Sequence, residues 1–127
     1  VVCLIKTKLN LMKLKLIPRR KLKPAKFMDQ WKELQKFCSS KDTWALAVIN
    51  ADKLLDEALK KKRLKGKSMG ERMVEAQKIL SDNDGVWFAH NMAKKLLDDS
   101  YGKIKESDVK KSLMGFRQAL RDLGALE

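Results

Sequence analysis

The stretch WALAVINADKLLDEALKKKRLKG, residues 44–66, sets the strongest limit on what this chain can fold into. Apolar residues fall at Trp44, Ala47, Val48, Ala51, Leu54, Leu55, Ala58 and Leu59, the spacing that gathers side chains on one face of a helix. Asp42 or Thr43 can cap its start and Gly66 can end it. Its end is a block of positive charge: Lys60, Lys61, Lys62, Arg63, Lys65 and Lys67. One element therefore both builds a core and presents cations at one end.

Four further segments carry the same period. Phe27, Trp31, Leu34 and Cys38 share a face, and Pro24 suits the first turn of that helix. SSKD (residues 39–42) then breaks and re-caps the chain. Ser68 and Glu71 form a capping box ahead of Met69, Met73, Ala76 and Leu80. SDNDG (residues 81–85) lacks the downstream glutamate of a calcium loop and reads as a turn, with Asp84 capping the helix after it. Val86, Ala89, Ala93, Leu96 and Leu97 line that helix. SYGK (residues 100–103) reads as a loop, and Ser107 caps a last helix. Its stripe, Val109, Leu113, Phe116, Leu120 and Leu123, is the cleanest in the chain. Gly124 ends it, with Arg117 and Arg121 on its outer side. The expectation is an all-α bundle of five helices near 25–38, 43–64, 69–80, 85–98 and 107–123.

A length of 127 residues fits one domain with a core that needs no disulfides. Hydrophobic content of 44% against 35% charged separates it from disordered chains. The net charge of +13 points to nucleic acid or an anionic surface as partner. That charge is uneven. Residues 1–26 hold nine basic side chains (Lys6, Lys8, Lys13, Lys15, Arg19, Arg20, Lys21, Lys23 and Lys26) and no acid, leaving 20 basic against 16 acidic in the rest. Lysines alternate loosely with aliphatic residues, the phase slips at Met12, and Pro18 and Pro24 disfavour a helix. Residues 1–24 thus read as a basic extended arm and 25–127 as the helical domain. An arm of this kind suits phosphate binding; the plainer alternative is a solubilising tail. Val1 and Met12 are both candidate starts.

Cys3 and Cys38 have no metal spacing, and Cys38 reads as a small buried apolar residue in a reduced, cytoplasmic chain. No run is long enough to cross a membrane, and VVCLI is too short for a signal peptide. Asp52 and Asp56 share a helix face. With no histidine or cysteine cluster beside them, the expectation is that Asp56 pairs with Lys60 and Asp52 meets a polar group of a neighbouring helix. His90, the single histidine, reads as a packed or surface residue, and Trp31, Trp44 and Trp87 read as core. No glycine-rich phosphate loop, zinc spacing or nucleophile motif is present, so no catalytic residue, metal or cofactor is expected.

The phrases WALAVINADKLLDEALK, KGKSMGERMVEAQ, DGVWFAHNMAKKLLDD and FRQALRDLGAL resemble small bacterial helical proteins of the HEPN type, nucleotide- and RNA-associated bundles. The resemblance runs from about Trp31 to the C-terminus and excludes the arm. In that family the segment matching AHNMAKKLLDD reads Ala-His-Lys-Leu-Arg-Asn-x-x-Ala-His-Glu, and its arginine and second histidine form a ribonuclease pair. Here those positions hold Ala93 and Asp98, Lys94 takes the asparagine position, and His90 matches the non-catalytic histidine. Alanine cannot stabilise a phosphorane, and an ionised aspartate is a poor general acid. The resemblance implies a HEPN-like scaffold that has lost metal-independent RNA cleavage.

Three functions compete on these residues. The first is a non-catalytic RNA-binding protein held in a large ribonucleoprotein, with ribosomal RNA and neighbouring ribosomal proteins as the expected partners. The cations of the arm and of residues 60–67 would neutralise phosphates with little base readout. The second is an inactive HEPN-type toxin or antitoxin-like protein that works through a protein partner. A third, peripheral membrane binding, is opposed by the arm's weak helical moment.

Overall fold

A computed structural model describes residues 21–98 and 104–127. They fold into α1 (Pro24–Gln35), α2 (Trp44–Lys61), α3 (Met69–Glu75), α4 (Asn83–Asp98) and α5 (Glu106–Asp122), with no strand among the described residues. Two short 3-10 turns, Lys36–Ser39 and Lys41–Thr43, join α1 to α2. The expected arm, apart from its last residues, and the expected loop at 100–103 lie outside the described residues.

The stretch that dominates the sequence also dominates the fold. α2 packs against each of the other four helices. Ala47, Val48, Ala51, Leu55, Ala58 and Leu59 on it are fully buried. Small side chains along α2 let its neighbours approach closely, while Phe27 from α1 and Phe116 from α5 fill the remaining volume. α4 and α5 approach closely at Gly115, where a β-carbon would stand 2.5 Å from the Gly85 carbonyl oxygen.

Helix ends depart from expectation. α1 stops at Gln35, because the carbonyls that follow are taken by side chains of the next turn. Thr43 Oγ1 donates to Phe37 O at 2.6 Å, and Trp44 Nε1 donates to Cys38 O at 3.0 Å. Cys38 is consequently only half-buried, and Trp44 and Trp87 are too, whereas Trp31 is in the core. α2 ends at Lys61, short of Gly66. Arg63 takes the left-handed conformation there (φ 61°), Arg63 N–H donates to Lys60 O and Leu64 N–H to Leu59 O, the double bond pattern that closes a helix around a left-handed residue. Gly124 (φ 83°) ends α5 in the same way, as the sequence indicates.

One start signal is where the sequence puts it and two are shifted. Ser68 caps α3 by accepting from Glu71 N at 3.2 Å, while the Glu71 carboxylate reaches back to Lys67 N at 3.3 Å. α4 is capped by Asp82, whose Oδ1 accepts from Gly85 N at 2.9 Å, so Asp84 lies inside the first turn. α5 starts at Glu106 behind Lys105, which makes no side-chain cap bond, so Ser107 does not cap it. Leu97, expected inside, is 52% exposed, and Leu113 is half-buried. α3 is short, yet Ala76 and Leu80 beyond it remain buried as its period predicts.

Candidate nucleic-acid interface

The start of α1 and the cation-rich end of α2 meet at one end of the bundle. Lys26, in the first turn of α1, and Lys61, the last residue of α2, each place Nζ 3.8 Å from the same oxygen, Glu57 Oε1. The first turn of α1, to which the arm is joined in sequence, therefore lies beside the cation-rich end of α2. One turn of helix separates Glu57 from Lys61, which is why the α2 pair forms; the Lys26 partner comes from packing α1 across it.

Residues 60–67 divide into paired and unpaired cations. Lys60 Nζ lies 3.5 Å from Asp56 Oδ2, the i,i+4 pair expected from sequence. Lys62 is half-buried, and Lys61 is tied to Glu57. Arg63, Lys65 and Lys67 are exposed and, among the described residues, have no carboxylate within ion-pair reach. Lys21 and Lys23 are exposed too. Lys6, Lys8, Lys13, Lys15, Arg19 and Arg20 lie outside the described residues.

Arg72 is the residue that sequence reasoning missed. Its guanidinium grips Asp56 with both arms, Nε to Oδ1 at 2.8 Å and Nη2 to Oδ2 at 3.0 Å, and its Nη1 donates to Gly66 O at 2.8 Å. The Arg72 side chain is only 11% exposed, so this fork works with little water around it. It fastens the end of α2, the loop and α3 together. Asp56 and Arg72 are separated by 16 residues, and no local signal marks the pairing.

The other candidate chemistry is structural. Asp52 Oδ1 accepts from His90 Nδ1 at 2.8 Å, giving it the polar partner on a neighbouring helix that the sequence calls for. His90 is 7% exposed and stands edge-on to the Trp87 ring, with centroids 5.9 Å apart. Ala93 is fully buried and Asp98 exposed at the end of α4. Burial pushes the Cys38 thiol above its ordinary pKa, which lowers its thiolate fraction. Among the described residues no group of three potential ligands could hold a metal ion, and no helix is long and apolar enough to cross a membrane.

No protein-family model, curated protein or solved structure matches the chain.

Proposed function

We propose that the chain is a non-catalytic RNA-binding protein of HEPN-like scaffold, seated on ribosomal RNA in a cytoplasmic ribonucleoprotein. The observation that carries this reading is the convergence of Lys26 and Lys61 on Glu57. It sets the arm's root beside the cations of residues 60–67, so arm and bundle can address one stretch of phosphate backbone together. The excess charge is concentrated in these two features, and phosphate neutralisation is what such an excess does best. Ala93 and Asp98 in place of the ribonuclease pair favour holding RNA over cutting it.

Deleting residues 1–23 and measuring association with ribosomal RNA against salt tests the proposal. If about six arm cations displace counterions, the intact chain has a log–log slope near −4 to −5, and the deletion flattens it and lowers affinity. Unchanged slope and affinity would move the assignment to a protein partner. That second reading draws on Leu97 and Met114, which are 52% and 71% exposed on α4 and α5.

A further inference from the structure

The segment after α2 alternates between anchored and outward-facing residues. Leu64 is buried in the core, with its N–H bonded to Leu59 O at 3.2 Å. Gly66 gives its carbonyl to Arg72, and a β-carbon on it would meet Arg72 N at 2.7 Å and Glu71 Cβ at 2.8 Å. Ser68 is fixed as the cap of α3. The residues between these anchors are Arg63, Lys65 and Lys67, all exposed. Cations two residues apart on such a segment have α-carbons at most about 7 Å apart. That is comparable to the step between neighbouring phosphates along one nucleic-acid strand.

We infer that Arg63, Lys65 and Lys67 form a ladder that contacts successive phosphates of one RNA strand, and that Arg72 is the positioning residue that keeps the ladder rigid. This rests on the RNA-binding reading above and adds to it which residues of the bundle touch the backbone, and in what register. Three features support rigidity as part of the device. A left-handed arginine fixes the first rung, the Arg72 fork to Asp56 and Gly66 O fixes the middle, and the bond from Lys67 N–H to the Glu71 carboxylate fixes the last. A preordered set of cations loses less side-chain and loop entropy on binding than a free tail does. Lys61, two residues before the ladder, meets Lys26 of α1 through Glu57, so arm and ladder would bind neighbouring parts of one RNA.

The test uses the full chain, purified ribosomal RNA as the probe, and four variants. The ladder triple Arg63→Asn, Lys65→Gln, Lys67→Gln removes the cations; asparagine tolerates the left-handed conformation at 63. A control triple, Lys78→Gln, Lys95→Gln, Lys105→Gln, removes the same charge elsewhere on the surface. Arg72→Gln and Arg72→Lys address the strut. The ladder triple should flatten the salt slope by about 2 to 3 and weaken binding roughly a hundredfold at 0.1 M salt, well beyond the control triple. Arg72→Gln should weaken binding roughly tenfold with the slope retained, because the cations remain but must be ordered on binding; Arg72→Lys should fall between.

Trypsin supplies a readout that needs no RNA. Loss of the strut should accelerate cleavage after Arg63, Lys65 and Lys67 but not after Arg117 or Arg121, whereas general destabilisation would accelerate all of them. If the intact chain binds RNA and the two triples behave alike, the ladder is overturned. If cleavage at the ladder is the same in Arg72→Gln and the unmodified chain, the strut is overturned. If the unmodified chain does not bind ribosomal RNA, the RNA-binding reading itself fails and the ladder with it.

Discussion

His90 Nδ1 lies 2.8 Å from Asp52 Oδ1, and this one bond joins the polar groups of α4 and α2 inside the bundle. An ionised aspartate only accepts, so Nδ1 carries the proton and the tautomer is fixed by the partner. Asp52→Ala would leave a nearly buried imidazole N–H without its acceptor. The expected loss is about 1–3 kcal/mol of unfolding free energy, and Asp52→Asn, which still offers an acceptor, should lose less. Urea unfolding of both variants decides it; equal stability of Asp52→Ala and the unmodified chain would show that the bond contributes nothing.

Ser112 points the other way. It is fully buried in α5, and among the described residues its hydroxyl has no hydrogen-bond partner. Removing an unsatisfied hydroxyl relieves a desolvation cost, and alanine also suits a helix better than serine. Ser112→Ala should therefore raise stability by about 1 kcal/mol. A lower midpoint of thermal unfolding would reveal a bond that this geometry does not contain.

Two glycines in helices should respond with opposite signs. A β-carbon at Gly115 meets backbone, the Gly85 carbonyl oxygen at 2.5 Å and its carbon at 2.9 Å, so α4 and α5 would have to separate. At Gly70 the nearest atom is the Trp87 ring at 3.6 Å, an ordinary contact. Gly115→Ala should cost about 1–3 kcal/mol, and Gly70→Ala should gain about 0.5–1 kcal/mol from reduced unfolded-state freedom. Calorimetry of the pair checks both.

Cys38 offers a pH prediction. Its thiol is held above its ordinary value of 9.0 by burial, so in the folded chain it stays protonated to higher pH. The stability this group contributes is intact below the unfolded thiol's pKa and is lost as pH rises through the folded value. In a Cys3→Ser background, alkylation by iodoacetamide should show a midpoint above that of a free-thiol standard. A midpoint at or below the standard would contradict the burial argument.

RNA incubated with the protein in the presence of a chelator should remain intact. Ala93 is sealed in the core and cannot touch a phosphate, and Asp98 lies exposed at the end of α4. Cleavage that persists in chelator and disappears in His90→Ala would assign chemistry to the histidine.

The five helices were legible because each repeats apolar residues at intervals of three and four, and burying one such face needs no long-range information. Phe27, Trp31 and Leu34, or Val109, Phe116 and Leu120, state their own interior. Boundaries were less legible, because several residues compete for each cap. Asp82 and Asp84 are both sound caps in SDNDG, and the choice falls to whichever carboxylate the backbone brings to Gly85 N. Leu97 continues the stripe of α4 but, one residue from the end of the helix, is 52% exposed. In the candidate interface the cations were visible as composition, and the Lys60–Asp56 pair as spacing. What joins them was not visible, since Glu57 receives Lys26 and Asp56 receives Arg72 only after distant segments have packed.

Arg63 sits where a helix of this kind would ordinarily be closed by glycine, with φ at 61°. An L-residue with a β-carbon held there costs about 1–2 kcal/mol relative to a relaxed backbone. Arg63→Gly should then make the bundle harder to melt while taking away a charge at the edge of α2. If the proposed RNA contact is made, thermal robustness and adhesion to a polyanion pull this position in opposite directions. A laboratory selection for heat resistance alone would then drift toward glycine at 63, and one for RNA binding would hold the arginine.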